Sequence, residues 1–205
     1  MGDDDLADAL TAAIRGDRVG FAVLWQCLQP PLLRYLRVVV GDAAEDVASE
    51  TWLQVARDLD RFVGQPSGFR VWLFRIARHR ALDERRRMQR RDLPREPGTA
   101  GESEAPARDV ALDVLEYADT LWALRLVASL APDQAEAVML RVVVGLDVAQ
   151  TAAVLGKRSG AVRIATMRGL RRLAAHPEAV NRRPPTGRPA TASVAAMESP
   201  NPEGV

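Results

Sequence analysis

The sequence predicts an all-α protein made of two small helical domains joined by a flexible linker, the second containing a helix-turn-helix, followed by a disordered C-terminal tail. In residues 1–91 and 112–175, apolar residues recur at helical spacings, without strand-like alternation bounded by turns. Residues 92–111 are rich in Pro, Gly, Ser and acids, which indicates a solvated linker. Residues 176–205 hold too few apolar groups to order themselves.

In the first domain, Asp42 and Glu45 have the spacing of a capping box, which predicts a helix running from there to about residue 59. Val47 and Val55 recur on the side of this helix that should face a core. The opposite side carries a polar stripe, which is either a solvated surface or a docking face. The stripe consists of Asp46, Glu50, Gln54 and Arg57.

The next predicted helix ends the first domain and is strongly basic, with nine arginines against two acids between residues 70 and 91. Phe69, Leu73 and Ile76 form its apolar stripe. A second stripe mixes aromatic and cationic groups. This pattern suits an unpaired nucleic-acid strand, because its bases can stack on the aromatic ring and the cations can neutralise its phosphates. This stripe consists of Trp72, Arg75, His79 and Arg86. The alternative is that Trp72 belongs to the core and His79 is simply exposed.

In the second domain, residues 146–173 carry the spacing of a helix-turn-helix. Ala152 is small where two helices cross, Gly156 can adopt the left-handed turn, and Val162 returns an apolar contact. Residues 157–172 hold six cations and no acid, which suits phosphate contacts in a major groove. The alternative is a solvated amphipathic helix in an ordinary bundle.

The composition limits the chemistry. Cys27 is the single cysteine, which excludes an internal disulfide and a multi-cysteine zinc site, and His79 has no suitably spaced partner for a metal. No nucleophile, base and orienting group cluster, and no glycine-rich phosphate loop occurs. We therefore expect no enzyme activity, no cofactor and no metal. The apolar runs are too short to insert in a membrane and a signal peptide is absent, so a cytoplasmic protein is expected.

Taken together, residues 44–87 and 130–173 resemble the two domains of bacterial sigma factors of the extracytoplasmic-function (ECF) group. The order of the motifs carries the resemblance: an acidic and aromatic first block, a short linker, and a C-terminal helix-turn-helix. The resemblance implies a transcription initiation factor whose partners are core RNA polymerase and promoter DNA, with an anti-sigma factor as a candidate regulator.

The resemblance also implies roles for individual residues. The polar stripe of Asp46, Glu50, Gln54 and Arg57 matches a helix that docks on a coiled coil of the largest polymerase subunit. A loop and the helix after it match the part that binds and melts the −10 element, through Phe62, Gln65, Ser67, Trp72, Arg75, Arg78 and His79. The second helix of the helix-turn-helix matches the reader of the −35 element, through Arg158, Ser159, Ala161, Arg163, Met167 and Arg168.

The chain departs from the family pattern in its helix-turn-helix. The usual serine cap is displaced, which predicts a cap shifted by one residue to Ser159. Gly169 stands where alanine is common and should cost about 1 kcal/mol of helix stability. Two other functions remain open: a helix-turn-helix regulator acting on duplex DNA without polymerase docking, and a helical protein-interaction adaptor. The basic, aromatic helix of the first domain favours the sigma factor, because a regulator of duplex DNA does not need it.

Overall fold

The structure is a computed structural model that describes residues 3–91 and 111–182, and this part of the chain is helical without a β-strand. The predicted fold class is confirmed. The first four helices are α1 (Asp3–Ile14), α2 (Arg18–Val40), α3 (Ala44–Asp58) and α4 (Pro66–Arg91). The remaining five are α5 (Ala111–Ala128), α6 (Pro132–Val138), α7 (Val148–Leu155), α8 (Ser159–Ala174) and α9 (Pro177–Arg182).

Helices α1 to α4 enclose a core of large apolar side chains. Leu32, Phe69 and Phe74 are fully buried there, and the ring of Phe74 packs edge-on against Tyr35 at a centroid distance of 5.6 Å. Helices α1 and α2 cross closely at Gly20, where a Cβ atom would lie 2.7 Å from a backbone oxygen of α1. The predicted apolar stripe of α4 is buried in this core, as expected.

Helix α3 begins differently from the prediction. Gly41 ends α2 with a positive φ of 60°, and a 3-10 turn, Gly41–Ala43, connects the two helices. Asp42 therefore lies inside that turn, and Glu45 pairs with Arg37 of α2 at 3.4 Å. The predicted capping box is wrong because the extra turn moves the start of α3 to Ala44. Its buried side is as expected, since Val47 and Val55 lie in the core.

The second domain contains the predicted helix-turn-helix, formed by α7 and α8. Gly156 ends α7 in the left-handed conformation, with φ 63° and ψ 34°, and Val162 of α8 is fully buried. Helix α7 opens with a capping box between Asp147 and Gln150 that the sequence analysis missed. Helix α8 begins at Ser159, and within the described chain no side chain caps it, so the shifted serine cap is wrong.

The C-terminal prediction needs one correction. Residues Pro177–Arg182 form the short helix α9, and the indole N–H of Trp122 in α5 donates to Glu178 of α9 at 2.9 Å. The expected disorder is therefore wrong for these six residues. Helix α9 contacts Trp122, and the composition of the tail does not reveal this contact. The rest of the predicted tail (183–205) and residues 92–110 of the predicted linker lie outside the described residues.

The two domains pack against each other, with α2 and α4 of the first facing α5, α6 and α7 of the second. Their apolar cores are continuous: Ala77 and Ala81 of α4 belong to the same buried cluster as Leu140 and Leu155 of the second domain. Val38 of α2 also covers a smaller cluster centred on Leu130. Among the described helices, none is both long enough and apolar enough to cross a bilayer.

Candidate nucleic-acid interface

Three aromatic rings come together where the loop after α3 meets the start of α4. Phe62 packs against Phe69 at 5.5 Å and against Trp72 at 5.2 Å between ring centroids. Phe69 is fully buried and lies 5.7 Å from Trp72, so it anchors the other two rings to the core. Phe62 and Trp72 remain half-buried, which leaves part of each ring open to a ligand.

An open cleft of about 470 Å³ lies beside these rings. Phe62 and Trp72 form its apolar part, while Arg61, Arg75 and Asp58 supply charge at its edge. Two glycines, Gly64 and Gly68, also line it. A cleft with aromatic walls and guanidinium groups can stack a base and neutralise the phosphates beside it.

A second cleft of about 590 Å³ continues along α4 and shares Trp72 and Arg75 with the first. His79 and Gln54 line it further along. Trp72 thus packs against Phe69 on one side and lines both clefts with the rest of its ring. The ring is large enough to have a core side and an open side, so its packing in the core is confirmed, and the stacking of a base on its open side stays a prediction.

Four of the seven residues predicted to bind the −10 element line these clefts, namely Phe62, Trp72, Arg75 and His79. Gln65 is exposed in the loop that precedes α4, where its backbone carbonyl accepts from Gly68 and Phe69. Ser67 lies in the first turn of α4, and its side chain is outside the described part of the chain. The seventh residue, Arg78, has a different partner.

Arg78 pairs with a carboxylate of the second domain. Its Nε donates to Oε2 of Glu136 in α6 at 2.7 Å, and the hydroxyl of Tyr35 donates to the same oxygen at 3.2 Å. Glu136 and Tyr35 are buried, and Arg78 is half-buried. Burial raises the pKa of Tyr35 well above its ordinary value, and the nearby Glu136 carboxylate raises it further. Tyr35 is therefore a neutral hydrogen-bond donor at this carboxylate.

The polar stripe of α3 lies next to the second cleft. Its Asp46, Glu50 and Arg57 are exposed, and Gln54 is half-buried. Arg80 of α4 donates to Oε1 of Gln54 at 2.9 and 3.1 Å, and its Nη1 lies 3.6 Å from Oε2 of Glu50. Arg80 therefore connects the stripe to the helix that lines both clefts.

Most of the residues predicted to contact the −35 element are exposed on α8 or at the residue before it. Arg158, Arg163 and Arg168 are exposed, as are Ala161 and Met167. Ser159 is half-buried in the first turn. Lys157 is one of the six cations of residues 157–172, and it pairs with an acid of α6. Its Nζ lies 2.5 Å from Oδ2 of Asp133.

Sequence reasoning missed Tyr35, Arg80 and Glu136. A signal for Glu136 was available, because it lies between two alanines in the apolar second half of α6, on a helix face that should be buried. A buried carboxylate needs a partner, but the sequence does not show which cation supplies it. Arg80 was one of nine arginines in its segment, and nothing in the pattern distinguished it.

Two protein-family models match this chain. The model for sigma-70 region 2 matches residues 24–91, which include α3, α4 and both clefts. The model for sigma-70 region 4 matches residues 120–173, which include the helix-turn-helix.

Relatives with both blocks occur among characterised proteins. ECF RNA polymerase sigma factor ShbA of Streptomyces griseus is 36% identical over 177 residues, covering 80% of this chain and 90% of ShbA. ECF RNA polymerase sigma factor SigD of Mycobacterium tuberculosis is 34% identical over 176 residues, covering 81% of each chain. ECF RNA polymerase sigma factor BldN of Streptomyces coelicolor is 34% identical over 82% of this chain, but the match spans only 64% of BldN.

Two solved structures share the fold. CnrH, in complex with the cytosolic domain of CnrY, superposes with a TM-score of 0.58 at 24% identity, covering 83% of this chain and 96% of CnrH. The sigma factor RpoE, in complex with the anti-sigma factor NepR from Bartonella quintana, superposes with a TM-score of 0.55 at 22% identity. That match covers 76% of this chain and 94% of RpoE.

Proposed function

The chain belongs to the ECF group of the sigma-70 family, non-enzymatic factors that direct RNA polymerase to promoters, and we propose how its surfaces divide this work. Residues 1–91 bind core polymerase and the −10 element, and residues 112–175 bind the −35 element. Residues 92–111 connect them. The observation that carries the proposal is the pair of clefts walled by Trp72 and Arg75, present in the same chain as a helix-turn-helix.

In this proposal the clefts beside α4 hold the −10 element during melting. Phe62 and Trp72 offer ring surface to an unstacked base, and Arg75 and His79 lie alongside to contact the backbone. Such a site favours a single strand over a duplex, because paired bases hide the faces that the rings would stack on. Binding energy at these clefts would therefore favour strand separation.

Helix α8 reads the −35 element from the major groove. Arg163 and Arg168 are exposed on the same helix, five residues apart, and Met167 lies beside them. Arginine can contact the guanine edge with two hydrogen bonds, and an apolar side chain can contact the methyl group of thymine. Arg171 and Arg172, in the last turn of α8, would contact phosphates.

The polar stripe of α3 docks the factor on core polymerase. Its Asp46, Glu50 and Arg57 are exposed and follow one side of the helix, and Leu53 beside them is 58% exposed. An exposed apolar residue surrounded by charges is typical of a protein interface. We place the protein in the cytoplasm, where core polymerase and promoter DNA are found. An anti-sigma factor is a candidate regulator, since RpoE was solved in complex with the anti-sigma factor NepR.

Electrophoretic mobility assays on genomic fragments test this proposal. Heparin-resistant complexes should form only when core polymerase and the chain are both present, because neither holds all the promoter contacts alone. The chain without core polymerase could instead form complexes as stable as those with core, on the same fragments. That result would support the duplex-binding regulator.

A further inference from the structure

We propose that α9 is part of the surface that binds the −35 element, because its hydrogen bond to α5 holds the last turn of α8 in place. This inference rests on the proposed function, which takes α8 as the helix that contacts the −35 element. The juxtaposition that carries it joins Trp122 of α5 to Glu178 of α9, whose indole nitrogen and carboxylate Oε2 lie 2.9 Å apart. The match to the sigma-70 region 4 model ends at residue 173, so the family resemblance assigns α9 no function.

Helix α9 is too short to be stable by itself, so its contacts determine whether it forms. Its six residues make fewer than two turns, and isolated helices shorter than about 12 residues are marginal in water. Two side-chain hydrogen bonds hold its first turn. Nδ1 of His176 accepts from the backbone N–H of Glu178 at 3.3 Å, and the carboxylate of Glu178 accepts from Trp122. Glu178 is therefore the residue that joins α9 to α5.

His176 connects the end of α8 to the start of α9. Its backbone N–H donates to the carbonyl oxygen of Leu173 at 3.1 Å, while its side chain caps α9. Leu173 packs against the buried cluster centred on Leu130, and α9 also contacts α8. Helix ends fray when nothing holds them, and the first hydrogen bonds to break at this end of α8 would be those of its last turn. Because α9 is fixed to α5, fraying of that turn also costs the hydrogen bond between Trp122 and Glu178.

The last turn of α8 carries two cations, Arg171 and Arg172, which are both exposed. A frayed turn leaves their positions undefined, so ordering them on DNA costs conformational entropy. A turn that α9 holds presents both guanidinium groups to neighbouring phosphates in advance. Each phosphate contact adds about 0.9 to the slope of the salt dependence of binding. The hydrogen bond should therefore change affinity and salt dependence and leave base preference intact, because Arg163 lies about two turns earlier in α8.

The charge of Glu178 separates this inference from simple electrostatics. An acid close to a DNA-binding helix repels phosphates, so its removal should by itself strengthen binding. Loss of the hydrogen bond to α5 should weaken binding. Glu178→Gln removes the charge but keeps an oxygen that can accept from Trp122, whereas Glu178→Ala removes both. The two variants are therefore matched in charge and differ only in the contact to α5.

The test uses holoenzyme assembled from core polymerase and full-chain variants, with a promoter fragment that the wild type selects from genomic DNA. The affinity for this fragment is measured between about 50 and 200 mM salt. Glu178→Ala and Trp122→Phe should each bind about fivefold more weakly at the low-salt end and lose about 1 to 2 from the salt slope. Glu178→Gln should bind at least as tightly as the wild type. All three variants should keep the wild-type preference among −35 sequences.

Two shortened chains form a second, matched test. One ends at Arg182 and keeps α9, and the other ends at Ala175 and lacks it. Both deletions remove equal numbers of arginines and acids, so the formal net charge is unchanged. The chain that ends at Arg182 should behave as the wild type. The chain that ends at Ala175 should show the weaker binding and the smaller salt slope of Glu178→Ala.

Wild-type affinity for Glu178→Ala, the same loss in Glu178→Gln, or equal behaviour of the two shortened chains would each overturn the inference. An α9 that only stabilises its domain would lower the melting temperature and leave the salt slope unchanged, and that result would overturn it too. Failure of the proposed function is distinguishable, because the wild-type holoenzyme itself would then show no preference among −35 sequences.

Discussion

Gly169 of α8 lies directly against Val138 of α6: a Cβ atom at Gly169 would be 2.8 Å from Cγ2 of Val138. Within its own helix this glycine costs about 1 kcal/mol of stability relative to alanine. The structure shows what the glycine provides, which is a close approach of α8 to α6. The position of α8 relative to α6 therefore depends on the absence of a side chain at residue 169.

We predict that Gly169→Ala destabilises the protein by about 1 to 3 kcal/mol, because overpacking against Val138 outweighs the gain in helix propensity. The matched control is Gly160→Ala in the same helix, since a Cβ there meets no described atom within 4 Å. That control should be neutral or stabilising. Chemical denaturation monitored by circular dichroism measures both. Stabilisation by Gly169→Ala would mean that α8 does not approach α6 this closely.

Trp72→Ala should slow the formation of open promoter complexes. Stacking of one base on an aromatic ring is worth about 1 to 3 kcal/mol, and Trp72 lines both clefts. Permanganate reactivity on a duplex promoter follows the melting, and a premelted template should rescue the variant in part. Trp25→Ala is the control, because Trp25 is 44% exposed on α2, outside the lining of both clefts. Equal defects on both templates would indicate damage to the core beside Phe69.

Replacing Asp46 and Glu50 together by Ala should weaken binding to core polymerase with little change in helicity, because both side chains are exposed on α3. A titration of labelled protein with core measures the affinity. Glu45→Ala removes a charge from the same helix outside the stripe, where Glu45 pairs with Arg37, and should bind core normally. Wild-type affinity for the double variant would show that polymerase docks elsewhere.

Arg163→Ala should relax base preference at one position of the −35 element, by about 1 to 3 kcal/mol if the side chain contacts guanine with two hydrogen bonds. Arg171→Ala is the comparison, because a phosphate contact in the last turn of α8 should weaken all sequences alike and reduce the salt dependence. Holoenzyme binding to a library of −35 sequences measures both effects. A uniform loss for Arg163→Ala would make it a phosphate contact instead.

Local chemistry in the sequence predicted the parts of the fold that depend on neighbouring residues. The left-handed turn at Gly156 and the buried Val162 follow from backbone freedom and helical spacing, and the core side of α4 follows from its apolar period. The cap of α3 was predicted wrongly, because a 3-10 turn of three residues displaced Asp42 from the helix start.

Contacts between distant residues could not be predicted in the same way. Arg78 and Glu136 are 58 residues apart, and each could have paired with many other charges in the chain. Gly169 looked like a defect because its helix alone was considered, whereas its reason lies in α6. Both features depend on how helices pack, which spacing within one helix does not encode.

Run-off transcription with purified core polymerase and genomic fragments distinguishes a sigma factor from a regulator that binds duplex DNA by itself. The wild-type chain should make core polymerase start transcription at discrete promoters. Trp72→Ala should reduce these transcripts on duplex DNA, and Trp25→Ala should not. The contradicting result is a chain that yields no transcripts with core polymerase yet binds specific duplex sites by itself.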